Sequence, residues 1–151
     1  MVGCGILVAC ATIFWNRRIA RLKATLDLIE GSESKEFYQE RYAAFREYRK
    51  DANNRRAILA EKRDFETQQK RDMCLDFLNH YELVSIACER GIIDRKFYRE
   101  WMGEVFVRDW NAAHELIRSA RVPENGEDKA SKEAFSEFEK LAKNWGGKAL
   151  P

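Results

Sequence analysis

The sequence predicts an all-α protein in which an N-terminal transmembrane helix continues into a small antiparallel helical bundle. Three observations lead to this fold class. The 151 residues include only two prolines and eight glycines, which leaves long stretches free to form helices. Apolar residues recur at intervals of three and four, the period of an amphipathic helix. Finally, residues 1–15 contain no Asp, Glu, Lys or Arg.

Composition favours one folded domain. Hydrophobic residues make up 45% of the chain and charged residues 34%, a balance typical of a packed core with a well-solvated surface. The net charge of +2, from 27 basic and 25 acidic residues, argues against a nucleic-acid binder, since such a protein would show a basic stripe.

The four cysteines are predicted to be reduced thiols. Cys4 and Cys10 lie in the apolar N-terminus, while Cys74 and Cys88 lie on one predicted helix. At 1.5 Å per residue the latter two are roughly 21 Å apart, too far for a disulfide. No C-x-x-C pair occurs, so we expect a cytosolic or membrane setting.

Residues 1–22 are predicted to form a membrane anchor helix. Their charge-free part spans roughly 22 Å, somewhat less than the hydrocarbon core of about 30 Å. Trp15 suits the membrane interface, and Arg17 and Arg18 can extend towards the headgroups. Basic residues follow the apolar stretch, so the positive-inside rule predicts a single-pass protein of the inner (cytoplasmic) membrane. Its N-terminus would lie outside and its remaining domain in the cytoplasm.

Two other interpretations of this N-terminus remain open. It could be a buried helix of a soluble protein. It could also be a cleaved signal peptide, since Ala9-Cys10-Ala11 resembles a small-x-small cleavage site. A signal peptide, however, needs a basic region before its apolar core, and no basic residue precedes this one.

Residues 23–72 are interpreted as a charged and aromatic helical connector. The first helix is expected to stop at Gly31, and Asn53-Asn54 to break the second. An aromatic stripe on the second helix is either core packing or a partner-binding face; its candidates are Phe37, Tyr38, Tyr42 and Phe45. The basic residues over 55–71 alternate with acidic ones, which favours a solvated face over a nucleic-acid site.

Residues 73–145 are predicted to form a helical hairpin plus a C-terminal helix. The first hairpin helix is apolar around most of its circumference, which is typical of a central helix. Gly91 is expected to end it in the left-handed conformation and Asp94 to cap the next helix. That helix should end near Arg121. Ser131 is expected to cap the last helix, and residues 146–151 to form a disordered tail.

Four polar residues on these helices are candidates for a buried polar site, namely Asn79, Glu82, His114 and Arg121. A buried carboxylate needs a partner, so Glu82 should meet an Arg, a Trp N–H or a backbone donor. The cluster is either a packing network or an acid–base site. With only two histidines a zinc site lacks ligands. No catalytic residue, metal or cofactor is predicted, because no phosphate loop or nucleophile elbow occurs.

The stretch FLNHYELVSIACERGIIDRKFYREWM, followed later by FSEFEKLAKNW, resembles a family of small bacterial and phage proteins. That family is catalogued as a domain of unknown function in the 4760 series. The matching positions are Leu78, Asn79, Glu82, Gly91, Ile93, Asp94, Tyr98, Trp110, Arg121, Phe138, Leu141 and Trp145. The resemblance implies one N-terminal transmembrane helix and a cytoplasmic helical domain, and it implies no reaction.

Two functions follow as hypotheses. The first is a membrane-anchored interaction or regulatory module, non-enzymatic and of bacterial or phage origin, which binds a protein partner. The second is a small-ligand binder or enzyme that uses a buried polar pocket around Glu82. A homo-oligomer stays open in either case, and nucleic acid is not an expected partner.

Overall fold

The computed structural model describes residues 2–34, 36–122 and 133–150, which contain six α-helices and no strand. The all-α prediction is therefore confirmed for this part of the chain. The helices are α1 (Val2–Ser34), α2 (Glu36–Lys50), α3 (Ala52–Leu59), α4 (Phe65–Glu89), α5 (Arg95–Arg121) and α6 (Ser136–Asn144).

Helix α1 has two halves with different surroundings. Every side chain from Val8 to Arg21 is exposed, whereas Thr25 is fully buried and Leu28 packs against the core. The helix continues through Gly31, the predicted stop, to Ser34. No helix among the described residues combines the length and apolar character needed to cross a membrane. The helical prediction for residues 2–22 is thus confirmed, and its membrane-spanning part gains no support from this finding.

Helix α4 is the centre of the bundle and packs against α2, α3, α5 and α6. Its Tyr81 ring lies 4.9 Å from the ring of Phe106 on α5 and 5.0 Å from that of Phe138 on α6. Trp110 on α5 contacts Phe138 at 5.1 Å. Fully buried aromatic rings in mutual contact therefore hold the three helices together.

The segment interpreted as a connector is part of the bundle. Phe45 and Tyr48 on α2 and Ile58 on α3 are completely buried in the core. The chain breaks before the two asparagines rather than at them. The reason is that the Asp51 carboxylate accepts the N–H groups of Asn53 and Asn54 and so starts α3.

A tight turn joins α4 to α5. Gly91 has a φ of +63°, in the left-handed region that favours glycine. The Asp94 carboxylate then accepts the N–H of Phe97 at 2.9 Å and caps α5. Helices α4 and α5 consequently fold back on each other.

The C-terminal residues pack against α5, although a disordered tail was expected there. The indole N–H of Trp110 donates to the carbonyl of Lys148 at 2.8 Å, and the Lys148 N–H donates to the side chain of Asn111 at 2.9 Å. A buried Trp needs an acceptor for its N–H, and the chain after α6 supplies one. Ser131, the expected cap of α6, lies outside the described residues.

Candidate functional site

The N-terminal half of α1 projects past one end of the bundle. Leu28 lies beside Tyr98 on α5, and one turn earlier the Thr25 hydroxyl accepts the N–H of Asp94 at 2.8 Å. One turn earlier again, the Arg21 guanidinium lies 3.5 Å from where a Cβ would stand on Gly91. Helix α1 therefore leaves the bundle at the α4–α5 turn, and the residues before Arg21 extend beyond it.

The surface of this projecting helix is apolar. Its exposed large side chains are Ile6, Val8, Ile13, Phe14, Trp15 and Ile19. Phe14 is 70% exposed and Trp15 is 60% exposed. The Arg18 guanidinium lies 6.0 Å from the centre of the Trp15 ring, within reach of a cation–π contact. Exposed apolar surface of this extent marks a region that contacts lipid or protein.

A second candidate surface is an apolar groove of about 700 Å³ between α1 and α4. We call it the α1–α4 groove; its apolar lining includes Leu28, Phe77, Leu83, Val84, Ile92 and Ile93. Leu83 is 66% exposed, so the groove is open to solvent. Arg41 and Asp76 form an ion pair of 3.2 Å among the lining residues. An apolar floor beside charged groups is the usual composition of a binding site.

The four aromatic residues expected on a partner-binding face divide between core and groove. Phe45 is completely buried and stacks on Phe77 at 5.0 Å, so it cannot contact a partner. Tyr42 is half-buried against Phe77. Tyr38 lines the α1–α4 groove, where its ring contacts that of His80 at 5.0 Å. The side chain of Phe37 lies outside the described residues.

Glu82 connects α4 to the start of α6. Its two carboxylate oxygens accept the N–H groups of Glu137 at 3.2 Å and Phe138 at 2.7 Å. The N-cap residue of α6 is Phe135, which has a φ of +61° and no side-chain acceptor. Glu82 therefore supplies the cap that α6 lacks in its own sequence.

The other three polar candidates do not gather around Glu82. Asn79 is exposed and lines the α1–α4 groove, which corrects its assignment to a buried site. Arg121 donates to the carbonyl of Ala134 at 2.9 Å and pairs with Glu139 at 2.8 Å. Both Glu82 and Arg121 thus hold α6 on the bundle rather than form a shared pocket.

His114 lies apart from the other candidates, with its ring 5.2 Å from that of Trp110. Its Nε2 atom is buried and has no hydrogen-bond partner among the residues that the structure describes. Burial lowers the pKa of His114, and the Lys148, Arg118 and Lys143 charges act in the same direction. The imidazole is therefore held neutral near pH 7.

Asp109 is the buried charge that the sequence analysis missed. Its carboxylate is inaccessible to solvent and accepts hydrogen bonds from Arg49 at 2.7 Å, Arg108 at 3.0 Å and the Tyr81 hydroxyl at 3.1 Å. Burial, together with the Asp109 charge, raises the pKa of Tyr81. The available signal was a single acidic residue next to Trp110 on the apolar stripe of α5.

Metal-ligating side chains and cysteine thiols are the remaining groups with chemical potential in the described residues. They contain no group of three His, Cys, Asp or Glu side chains that could hold a metal ion. Cys74 and Cys88 are free and buried, and burial raises their pKa to about 12 and about 11, so both stay protonated and unreactive. Cys10 is free and exposed on the projecting helix.

Comparison with known protein families matches the chain to a family. The family described as DUF4760, a domain of unknown function, matches residues 1–145. This range includes all six helices, and with them the projecting helix and the α1–α4 groove. Comparison with curated proteins and with solved structures found no match.

Proposed function

This chain belongs to the DUF4760 family, a domain of unknown function, and we propose that it acts as a membrane-anchored, non-enzymatic interaction module. The projecting half of α1 inserts into the inner membrane of a bacterial cell. The helical bundle lies on the cytoplasmic side and binds a protein partner. Each part of this proposal rests on one of the two apolar surfaces described above.

The exposed projecting helix is the observation that best supports membrane anchoring. The uncharged residues 2–16 would measure about 22 Å as a helix, so local thinning of the bilayer would have to match them to a hydrocarbon core of about 30 Å. Transfer of one exposed Ile or Phe side chain out of water contributes about 2 kcal/mol. Several such side chains surround this helix, and nothing else in the described chain covers them.

The charge distribution near the projecting helix supports the proposed orientation of the chain in the membrane. Trp15 suits the interface between lipid and water, and Arg17 and Arg18 follow at the level of the headgroups. These arginines lie between the apolar stretch and the bundle. The positive-inside rule therefore favours a cytoplasmic bundle and an external N-terminus.

The α1–α4 groove supports the proposal that the bundle binds a protein partner. Its exposed Leu83 would be covered by an amphipathic helix laid into the groove, a common mode of recognition. A second copy of this chain and a different protein are both candidate occupants. The earlier alternative, a ligand site around Glu82, finds no favouring observation, since Glu82 is engaged by α6 and does not line the groove.

The anchor is tested by membrane fractionation of the full chain. We expect the wild-type protein to stay in the membrane pellet after a carbonate wash. The double variant Ile13→Glu, Phe14→Glu should move to the supernatant, because both side chains would lie in lipid. Phe65→Glu is the matched control, since Phe65 is 86% exposed on α4 and far from α1. Extraction of the wild-type chain by carbonate would refute the anchor.

The partner is tested by capture from solubilised membranes. The wild-type chain and Phe65→Glu should enrich the same protein, and Leu83→Glu should lose it because a charge enters the apolar groove. Mass determination of the complex separates a second copy from another protein. Equal recovery with Leu83→Glu would show that the partner binds elsewhere.

A further inference from the structure

We propose that the turn between α4 and α5, residues 90–94, contacts the anionic phospholipid surface beside the anchor. The inference rests on the proposed function, because it requires that α1 enter a membrane. It adds a second contact with the membrane, one that the sequence places about 70 residues away from the first. The turn would contact the phosphate groups of anionic lipids.

The geometry brings this turn to the membrane side of the bundle. Asp94 is tied to α1 by its N–H, which donates to the Thr25 hydroxyl at 2.8 Å. Gly91 lies against the Arg21 guanidinium. Because α1 leaves the bundle at this point, a membrane that takes up the preceding residues must lie against the turn. The opposite end of α4, at Phe65, is about 36 Å away along the helix axis.

The turn carries an exposed apolar side chain. Ile92 is 56% exposed, whereas its neighbour Ile93 is buried in the core. Exposure of the isoleucine side chain to water at the tip of a helical hairpin is unfavourable. In contact with the acyl–headgroup boundary it would bury its surface without any rearrangement of the bundle.

Basic residues are frequent on the two segments that meet at this turn. Arg17, Arg18, Arg21 and Lys23 on α1 and Arg90 in the turn are all exposed, and α1 carries no acidic residue before Asp27. Glu89 and Asp94 near the turn are engaged within the protein, and the exposed Asp27 of α1 lines the same groove as Ile92. Glu89 pairs with Arg95 at 3.5 Å and with Lys140 at 3.7 Å, and Asp94 caps α5.

This combination of charge and apolar surface fits an anionic membrane. Clusters of four to eight Lys or Arg next to a membrane helix bind anionic lipids, and each residue near the surface adds about fivefold to the affinity. A zwitterionic surface would satisfy Ile92 but would leave the basic cluster without counter-charges. We therefore expect contact by the turn to depend on anionic lipid.

The test measures how close the turn lies to the lipid headgroups. The full chain with Cys4 and Cys10 changed to Ser receives Ile92→Cys, and the new thiol carries a fluorescent label. A matched control carries the label at Phe65→Cys. Both proteins are reconstituted into vesicles that contain a headgroup-level quencher, with either phosphatidylglycerol or phosphatidylcholine as the bulk lipid.

The expected result is strong quenching of the label at position 92 in phosphatidylglycerol vesicles. Quenching should be weaker in phosphatidylcholine, and the label at position 65 should stay unquenched in both. Adding Arg90→Gln should reduce quenching at position 92 by weakening contact about fivefold.

Three results overturn the inference and can be told apart. If the protein floats with the vesicles but positions 92 and 65 are quenched equally, the turn does not contact lipid while the anchor still holds. If the protein does not float with any vesicle, the anchor itself fails and the inference fails with it. A label at position 92 that responds to single-stranded RNA and not to anionic vesicles would reassign the basic cluster to nucleic acid.

Discussion

The carboxylate of Glu82, in the middle of α4, accepts the N–H of Phe138 in the first turn of α6 at 2.7 Å. The same carboxylate accepts the N–H of Glu137. A negative charge at this end of a helix also interacts favourably with the helix dipole. Glu82 therefore acts as a cap supplied by a different helix, and its replacement should loosen α6 rather than abolish a reaction.

Replacing Glu82 by Gln should destabilise the protein by about 1 kcal/mol, since the amide retains one acceptor oxygen but loses the charge. Hydrogen exchange should accelerate at the amides of the first turn of α6 in particular. Glu104→Gln, an exposed change on α5, is the control and should leave that exchange unaltered. Unchanged protection of α6 in Glu82→Gln would show that the cap is dispensable.

Replacing Asp109 by Asn should cost more, about 3 kcal/mol, because it breaks a buried ion pair and leaves Arg49 without its carboxylate. Urea denaturation measures the loss. The comparison is Asp76→Asn, which breaks the surface pair with Arg41 and should cost less than about 1 kcal/mol. Similar midpoints for the two variants would contradict a structural role for the buried charge.

Replacing Gly147 by Ala should release the C-terminal residues from α5. An added Cβ would lie 2.8 Å from Cδ1 of Trp110 and 2.9 Å from the Ala142 carbonyl, both within a packed region. We expect a destabilisation of about 1–3 kcal/mol and a change in Trp fluorescence. In Gly31→Ala, where nothing lies within 4 Å, the helix should instead gain up to about 1 kcal/mol.

His114 should make the protein less stable as the pH falls below about 6.5. Burial lowers its pKa in the folded protein below the ordinary value of 6.5. As the pH falls, the unfolded chain therefore binds a proton before the folded protein does. The free energy of unfolding is unaffected by His114 above about pH 6.5 and decreases below it. Urea midpoints at several pH values measure this decline, and His114→Gln should flatten it. A decline of the same size in the variant would assign it to other groups.

Much of the helical architecture follows from local signals. Gly91 and Asp94 mark the turn between α4 and α5 through backbone conformation and a side-chain cap within three residues. The charge-free N-terminus and the apolar periodicity need no tertiary information either. Asn53 and Asn54 were expected to break the second helix. The break falls at Asp51 instead, because its side chain caps α3, and both asparagines lie inside that helix.

The sequence by itself thus determined that the described chain is helical, that a turn at Gly91 and Asp94 joins α4 to α5, and that the N-terminus is apolar. Only the tertiary structure decided that Glu82 caps α6, that Asp109 joins two arginines and a tyrosine, and that the α4–α5 turn lies beside the projecting helix. The partners in these contacts are as much as 69 residues apart in the chain. Their meeting depends on how the helices pack, and helix packing is decided by the shapes of many side chains together rather than by local spacing.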